Sequence, residues 1–86
     1  MKAAIWDTYV TKKDGSIMHF DIIVPEETKE ASRIHAYGKE YLKAKGQEGQ
    51  GLTSNKCNFN PVEMVSTENK QSIEGKGYYI VEREGC

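Results

Sequence analysis

The sequence predicts an α+β domain of two layers, in the order strand, strand, helix, strand, helix, strand, with a mixed four-stranded sheet and both helices on one face. Three observations carry this. Ala3 to Thr11 and Ser16 to Val24 are rich in branched and aromatic residues and meet at Lys13-Asp14-Gly15, the pattern of a hairpin. Between about residues 27 and 45, apolar side chains recur at spacings of three and four, as on an amphipathic helix. Tyr78-Tyr79-Ile80-Val81 then supplies a last strand near the end of the chain. With 86 residues, the chain has room for one domain, 1–86, with a thin core.

The hairpin comes first, and its register follows from its turn. A loop of even length would set Asp7 among Ile5, Tyr9, Phe20 and Ile22, stranding a carboxylate on an apolar face. A three-residue loop of Lys13, Asp14 and Gly15, with Gly15 in the left-handed position of a bulge, pairs like parity with like. Ala4, Trp6, Val10, Met18, Phe20, Ile22 and Val24 then share one face, interrupted by Thr8. Asp7, Tyr9, His19 and Asp21 share the other, with Ile5, Ile17 and Ile23 between them. Tyr9 is expected opposite His19, and Asp7 opposite Asp21.

The long helix follows, with Pro25-Glu26-Glu27 suited to its first turn and Thr28 a competing cap. Ala31, Ile34, Gly38, Tyr41 and Leu42 make its apolar stripe, and Gly46 gives a left-handed exit. Gln47 to Gly51 is a polar, glycine-rich connector, too short and misplaced for a phosphate loop. Leu52 to Phe59 reads as an edge strand whose better apolar residues, Cys57 and Phe59, fall at odd positions. Asn60-Pro61-Val62-Glu63 offers one helix start, but Thr67 to Gly75 is the preferred short helix because Val62, Val65 and Ile73 make no continuous stripe.

Composition narrows the function classes. A net charge of -1, with 29% charged residues, gives no electrostatic support to nucleic-acid binding. No apolar run approaches the length of a membrane span, and Asp7 interrupts any N-terminal export signal, so a cytoplasmic protein is expected. In that setting Cys57 and Cys86 are expected as free thiols.

The candidate binding residues are Asp7, Tyr9, His19 and Asp21, because a histidine held by carboxylates is the usual proton carrier near neutral pH. The plainer reading makes them a solvated polar face with an ordinary Tyr-His cross-strand pair. Two aspartates beside a histidine also suit a divalent metal, yet no Cys-x-x-Cys or His-x-x-x-His spacing is present, so no metal or other cofactor is assigned. Ile5, Ile17 and Ile23, expected exposed on the open face, are the candidate interface of a homodimer. The leading expectation is a non-enzymatic binding or interaction module with an unidentified ligand. The alternative is a small enzyme or metal-dependent protein using His19 with Asp7, Asp21 and Tyr9.

The chain resembles a small bacterial family catalogued as domain of unknown function two thousand and twenty-four. The residues that carry the likeness are Asp7-Thr8-Tyr9-Val10, Asp14-Gly15, Met18-His19-Phe20-Asp21, Cys57-x-Phe59, Gly77-Tyr78-x-Ile80 and Glu84-Gly85-Cys86. The resemblance spans nearly the whole chain and implies an α+β domain, with no activity, substrate or cofactor attached. Where relatives carry Cys-x-Phe-Cys-His, this chain has Asn60 and Pro61 in the last two places. A zinc role shared through that motif is therefore not implied.

Overall fold

In the computed structural model, which describes residues 3–56 and 67–86, Gly15 sits at φ +88 and its amide donates to the Lys12 carbonyl at 2.9 Å. The Lys12 amide in turn donates to the Ser16 carbonyl at 2.7 Å, closing a loop of Lys13, Asp14 and Gly15. Asp14 Oδ1 accepts from both the amide and the hydroxyl of Ser16, at 2.9 and 2.6 Å. This three-residue turn joins β1 (Ala3–Thr11) to β2 (Ile17–Pro25) in the expected register, with Tyr9 paired to His19 and Asp7 to Asp21. Side chains alternate across the pleat, so the turn alone decides which residues share a face.

The remaining elements are α1 (Ala31–Ala44), β3 (Leu52–Lys56), α2 (Thr67–Lys76) and β4 (Tyr79–Glu84). The sheet order is β3-β1-β2-β4, and every neighbouring pair is antiparallel, where a mixed sheet was expected. The reason is where the crossover lands. A helical connection returns the chain parallel to the strand it left. The crossover through α1 sets β3 down beside β1, which runs against β2, so the actual contact is antiparallel.

The even face of the hairpin forms the main core. Ala4, Trp6, Val10, Met18, Phe20, Ile22 and Val24 are all buried there against Ile34 and Leu42 of α1 and against Tyr78. Gly38 lies between Ile34 and Leu42 on the same stripe. A side chain at Gly38 would crowd a terminal methyl of Leu52 at 2.8 Å and touch Ile22 at 3.4 Å, so the glycine suits the close approach of α1 to the sheet. Thr8, the polar interruption of this face, is fully buried, and its hydroxyl is matched by Ser54 Oγ at 2.9 Å and the Trp6 carbonyl at 3.2 Å. Leu52 and Ser54 therefore put the even side of β3 toward the core, where the odd side was expected. Cys57, Phe59 and the helix start at Asn60 lie outside the described residues.

Helix α1 begins at Ala31, about four residues later than expected, because Pro25 ends β2 opposite Ala3 and a turn follows in which Thr28 donates to the Pro25 carbonyl at 2.9 Å. A ladder end tolerates a residue without an amide hydrogen. Its exit is as expected. Gly46 has φ +75, and the Gln47 amide reaches back to the Leu42 carbonyl at 2.8 Å, satisfying a carbonyl the helix leaves open.

The second helix departs from expectation more consequentially. Ile73 of α2 packs with Ala3 and Ile23, against Ile5, Tyr79 and Val81, which all belong to the odd face. The two helices thus cover opposite faces, where both were expected on one. The odd face at the Ala3 end is apolar and requires a cover, and α2 supplies it. Ile23 is only 8% exposed as a result, and Ile5 is half-buried, so the expected open patch of Ile5, Ile17 and Ile23 is reduced to Ile17, 54% exposed. None of the described helices is long and apolar enough to cross a membrane.

Candidate functional site

The odd face divides into two ends. Its Ala3 end lies under α2, and its turn-proximal end carries Asp7, Tyr9, His19 and Asp21 from two adjacent strands. The four predicted residues are brought together by their cross-strand pairs. The Tyr9 and His19 rings stack, with centroids 4.3 Å apart and planes 7° from parallel, which fixes the imidazole plane. His19 Nε2 then lies 3.7 Å from Asp7 Oδ1 and 3.7 Å from Asp21 Oδ1.

These separations are too long for hydrogen bonds. Asp21 is 2% exposed, yet its Oδ1 has no hydrogen-bond partner, and neither does the buried Nε2 of His19. Two buried polar atoms face each other across a gap that neither fills. Native interiors leave few such groups unmatched, because each one forfeits water without replacement. Asp7 stands at the solvent edge of the gap, with its side chain half exposed.

The other oxygen of Asp21 is held firmly. Arg83 donates to Asp21 Oδ2 from Nε at 2.8 Å, and its second guanidinium nitrogen sits 2.7 Å from the same atom. Arg83 comes from β4, where the pairing with β2 shifts by a bulge between His19 and Phe20: Phe20 faces Glu82 but His19 faces Glu84, so that Arg83 is the extra residue between them. Nothing in the periodicity of the last strand marks Arg83, and its contact with Asp21 is set by the bulged pairing, which left no signal in the sequence. Burial and the neighbouring Asp7 carboxyl push Asp21 above the ordinary carboxylate pKa, while Arg83 draws it back. The cluster holds two carboxylates, one imidazole and one guanidinium that is already engaged.

Other polar groups lie apart from it. The Tyr41 hydroxyl donates to Glu82, which Lys45 also approaches at 3.0 Å, on the opposite side of the sheet. His35 is a half-buried residue of α1, and Cys86 is an exposed free thiol near the His19 carbonyl, 3.3 Å away. Two grooves, one along α1 and residues 48–51 and the other between α1, α2 and β4, share no residue with the cluster.

Comparison with known proteins places the chain. The sequence profile of a family described as Domain of unknown function (DUF2024) matches residues 1–83. The chain belongs to this family. It is similar to a solved structure, the NMR structure of protein NE1680 from Nitrosomonas europaea, at 31% identity and a TM-score of 0.80. That likeness covers 100% of this chain and 99% of the other. No functionally curated protein matches. The likeness shows that this chain and protein NE1680 share one α+β fold over their full lengths.

Proposed function

We propose that this DUF2024 domain is a small binding module whose working site is the polar end of the odd face, with Asp7, His19 and Asp21 as the ligand-facing groups and Tyr9 and Arg83 as their supports. One observation carries the reading. Asp21 Oδ1 is buried, unpartnered and aimed at an equally unpartnered His19 Nε2. A solvated polar face has no reason to bury an acceptor in this way, whereas a site that completes its hydrogen bonding or coordination with a ligand does. Self-association through the same face has less to recommend it. Among the described residues its exposed large apolar groups are Ile17 and Tyr9, and the Tyr9 ring is already spent on His19.

Stability without any ligand tests this reading. Sites kept for binding are commonly not optimal for folding, and replacing such residues tends to stabilise the empty protein. Asp21→Asn is expected to raise stability by about 0.5–1 kcal/mol at neutral pH, since it removes a buried charge close to Asp7 and keeps an acceptor for Arg83. Denaturant unfolding measures the change. Were Asp21 chiefly a structural partner of Arg83, the same substitution would lower stability by about 1 kcal/mol or more, and the proposal would fall.

A further inference from the structure

We infer that Asp7 Oδ1, His19 Nε2 and Asp21 Oδ1 form a binding site for a divalent first-row transition metal ion, an inference that rests on the polar end being a binding site. The three atoms lie within 4.8 Å of one another. An ion among them needs shifts of only a few tenths of an ångström to reach ligand distances of about 2.0–2.2 Å. Acidic clusters on protein surfaces are common without a metal. What separates this one is the buried, unpartnered Asp21 Oδ1 and His19 Nε2, both turned into the same gap.

The surroundings fit an ion in three respects. Tyr9 stacking sets the plane of the imidazole, so Nε2 is directed before an ion arrives. Arg83 takes Asp21 Oδ2 with two nitrogens and leaves Oδ1 free, the arrangement by which an outer group orients a ligating carboxylate. Asp7 is half exposed at the rim and gives the ion a way in from solvent. Two carboxylates against one guanidinium leave the cluster with a net negative charge, even with Arg83 beside it.

The donor set indicates the class of ion. One imidazole nitrogen with two carboxylate oxygens suits zinc, manganese, iron, cobalt or nickel, because imidazole is a poor ligand for magnesium and calcium. Three protein ligands leave further coordination positions to water or a small anion, as in metal sites that are not purely structural. The competing arrangement is an imidazolium lodged between two carboxylates with no ion at all. Such an imidazolium would be expected to bring its N–H within hydrogen-bond distance of at least one oxygen, and at 3.7 Å from each it does not.

The test is calorimetric titration of Zn²⁺ into the full chain carrying Cys57→Ser and Cys86→Ser, so that thiols take no part, with the imidazole nitrogens followed by NMR. The expected result is saturation at one ion per chain, a change at His19 Nε2 but not at His35, and affinity at least about tenfold weaker in both His19→Ala and the more exposed Asp7→Asn. Mg²⁺ at the same concentrations is expected not to saturate. Absence of saturable Zn²⁺ binding, or binding that neither substitution weakens, or a preference for Mg²⁺, overturns the inference. A gain in stability for Asp21→Asn without Zn²⁺ binding removes the ion and leaves the site; a loss in stability without Zn²⁺ binding removes both.

Discussion

Asp21 and Ile23 lie two residues apart on one strand, on one face, and both are buried, at 2% and 8% exposure. Ile23 is buried because Ile73 of α2 lies over it with Ala3, Ile5, Tyr79 and Val81 around it. Asp21 is buried with half of its carboxylate bound to Arg83 and the other half bound to nothing. The apolar end of the face is therefore complete as it stands, and the polar end is not. Packing accounts for the burial of Ile23, whereas Arg83 accounts for only one of the two oxygens of Asp21.

Three perturbations sharpen that contrast. The largest effect is expected at the complete end, where Ile73→Ala should lower stability by about 2–4 kcal/mol in denaturant unfolding, since it empties the centre of a small apolar cluster. A value under about 1 kcal/mol would mean that α2 barely holds the odd face. Next comes Arg83→Met, which leaves both oxygens of Asp21 without a donor and should cost about 1–3 kcal/mol by the same measurement.

The smallest effect is a pH dependence. The folded-state pKa of Asp21 lies above its ordinary value of 3.8, so its contribution to the ligand-free protein is full below that value and is lost as pH rises through the folded one. The stability difference between Asp21→Asn and the parent should accordingly open as pH rises above about 3.8 and then level off. Asp14 behaves in the opposite sense. Its two hydrogen bonds from Ser16 lower its pKa, so its contribution is present above 3.8 and fades at lower pH. Equal pH profiles for Asp14→Asn and Asp21→Asn would erase the distinction between a satisfied and an unsatisfied aspartate.

Much of the hairpin was legible in the sequence, because turn chemistry is local. Asp14 and Gly15 set the loop, the loop set the parity, and parity gathered Asp7, Tyr9, His19 and Asp21. What eluded the sequence depends on long-range choices. The direction of the sheet contacts turned on which edge β3 joined, a choice that the local pattern of β3 does not encode. The side taken by α2 turned on Ile73, the one buried residue among its described side chains and too little for a periodic stripe to reveal. Arg83 reaches Asp21 across a bulged pairing, and bulges leave no alternation to read. The exposure expected of Ile5 and Ile23 failed with the placement of α2, since a face counted as open was half covered.

The turn at Lys13 to Gly15 has a consequence for how the site comes into being. Asp7, Tyr9, His19 and Asp21 all fall within fifteen consecutive residues, from 7 to 21, so the shortest-range pairing in the sheet brings them together. Closing so short a loop loses little chain entropy compared with docking β4, which lies some sixty residues further along. The chemical groups can therefore assemble with the hairpin alone, and only their shielding by Val81 and Arg83 waits for the end of the chain. A site inherited this way travels as one segment, and a single residue gained or lost in its turn would dismantle it whole.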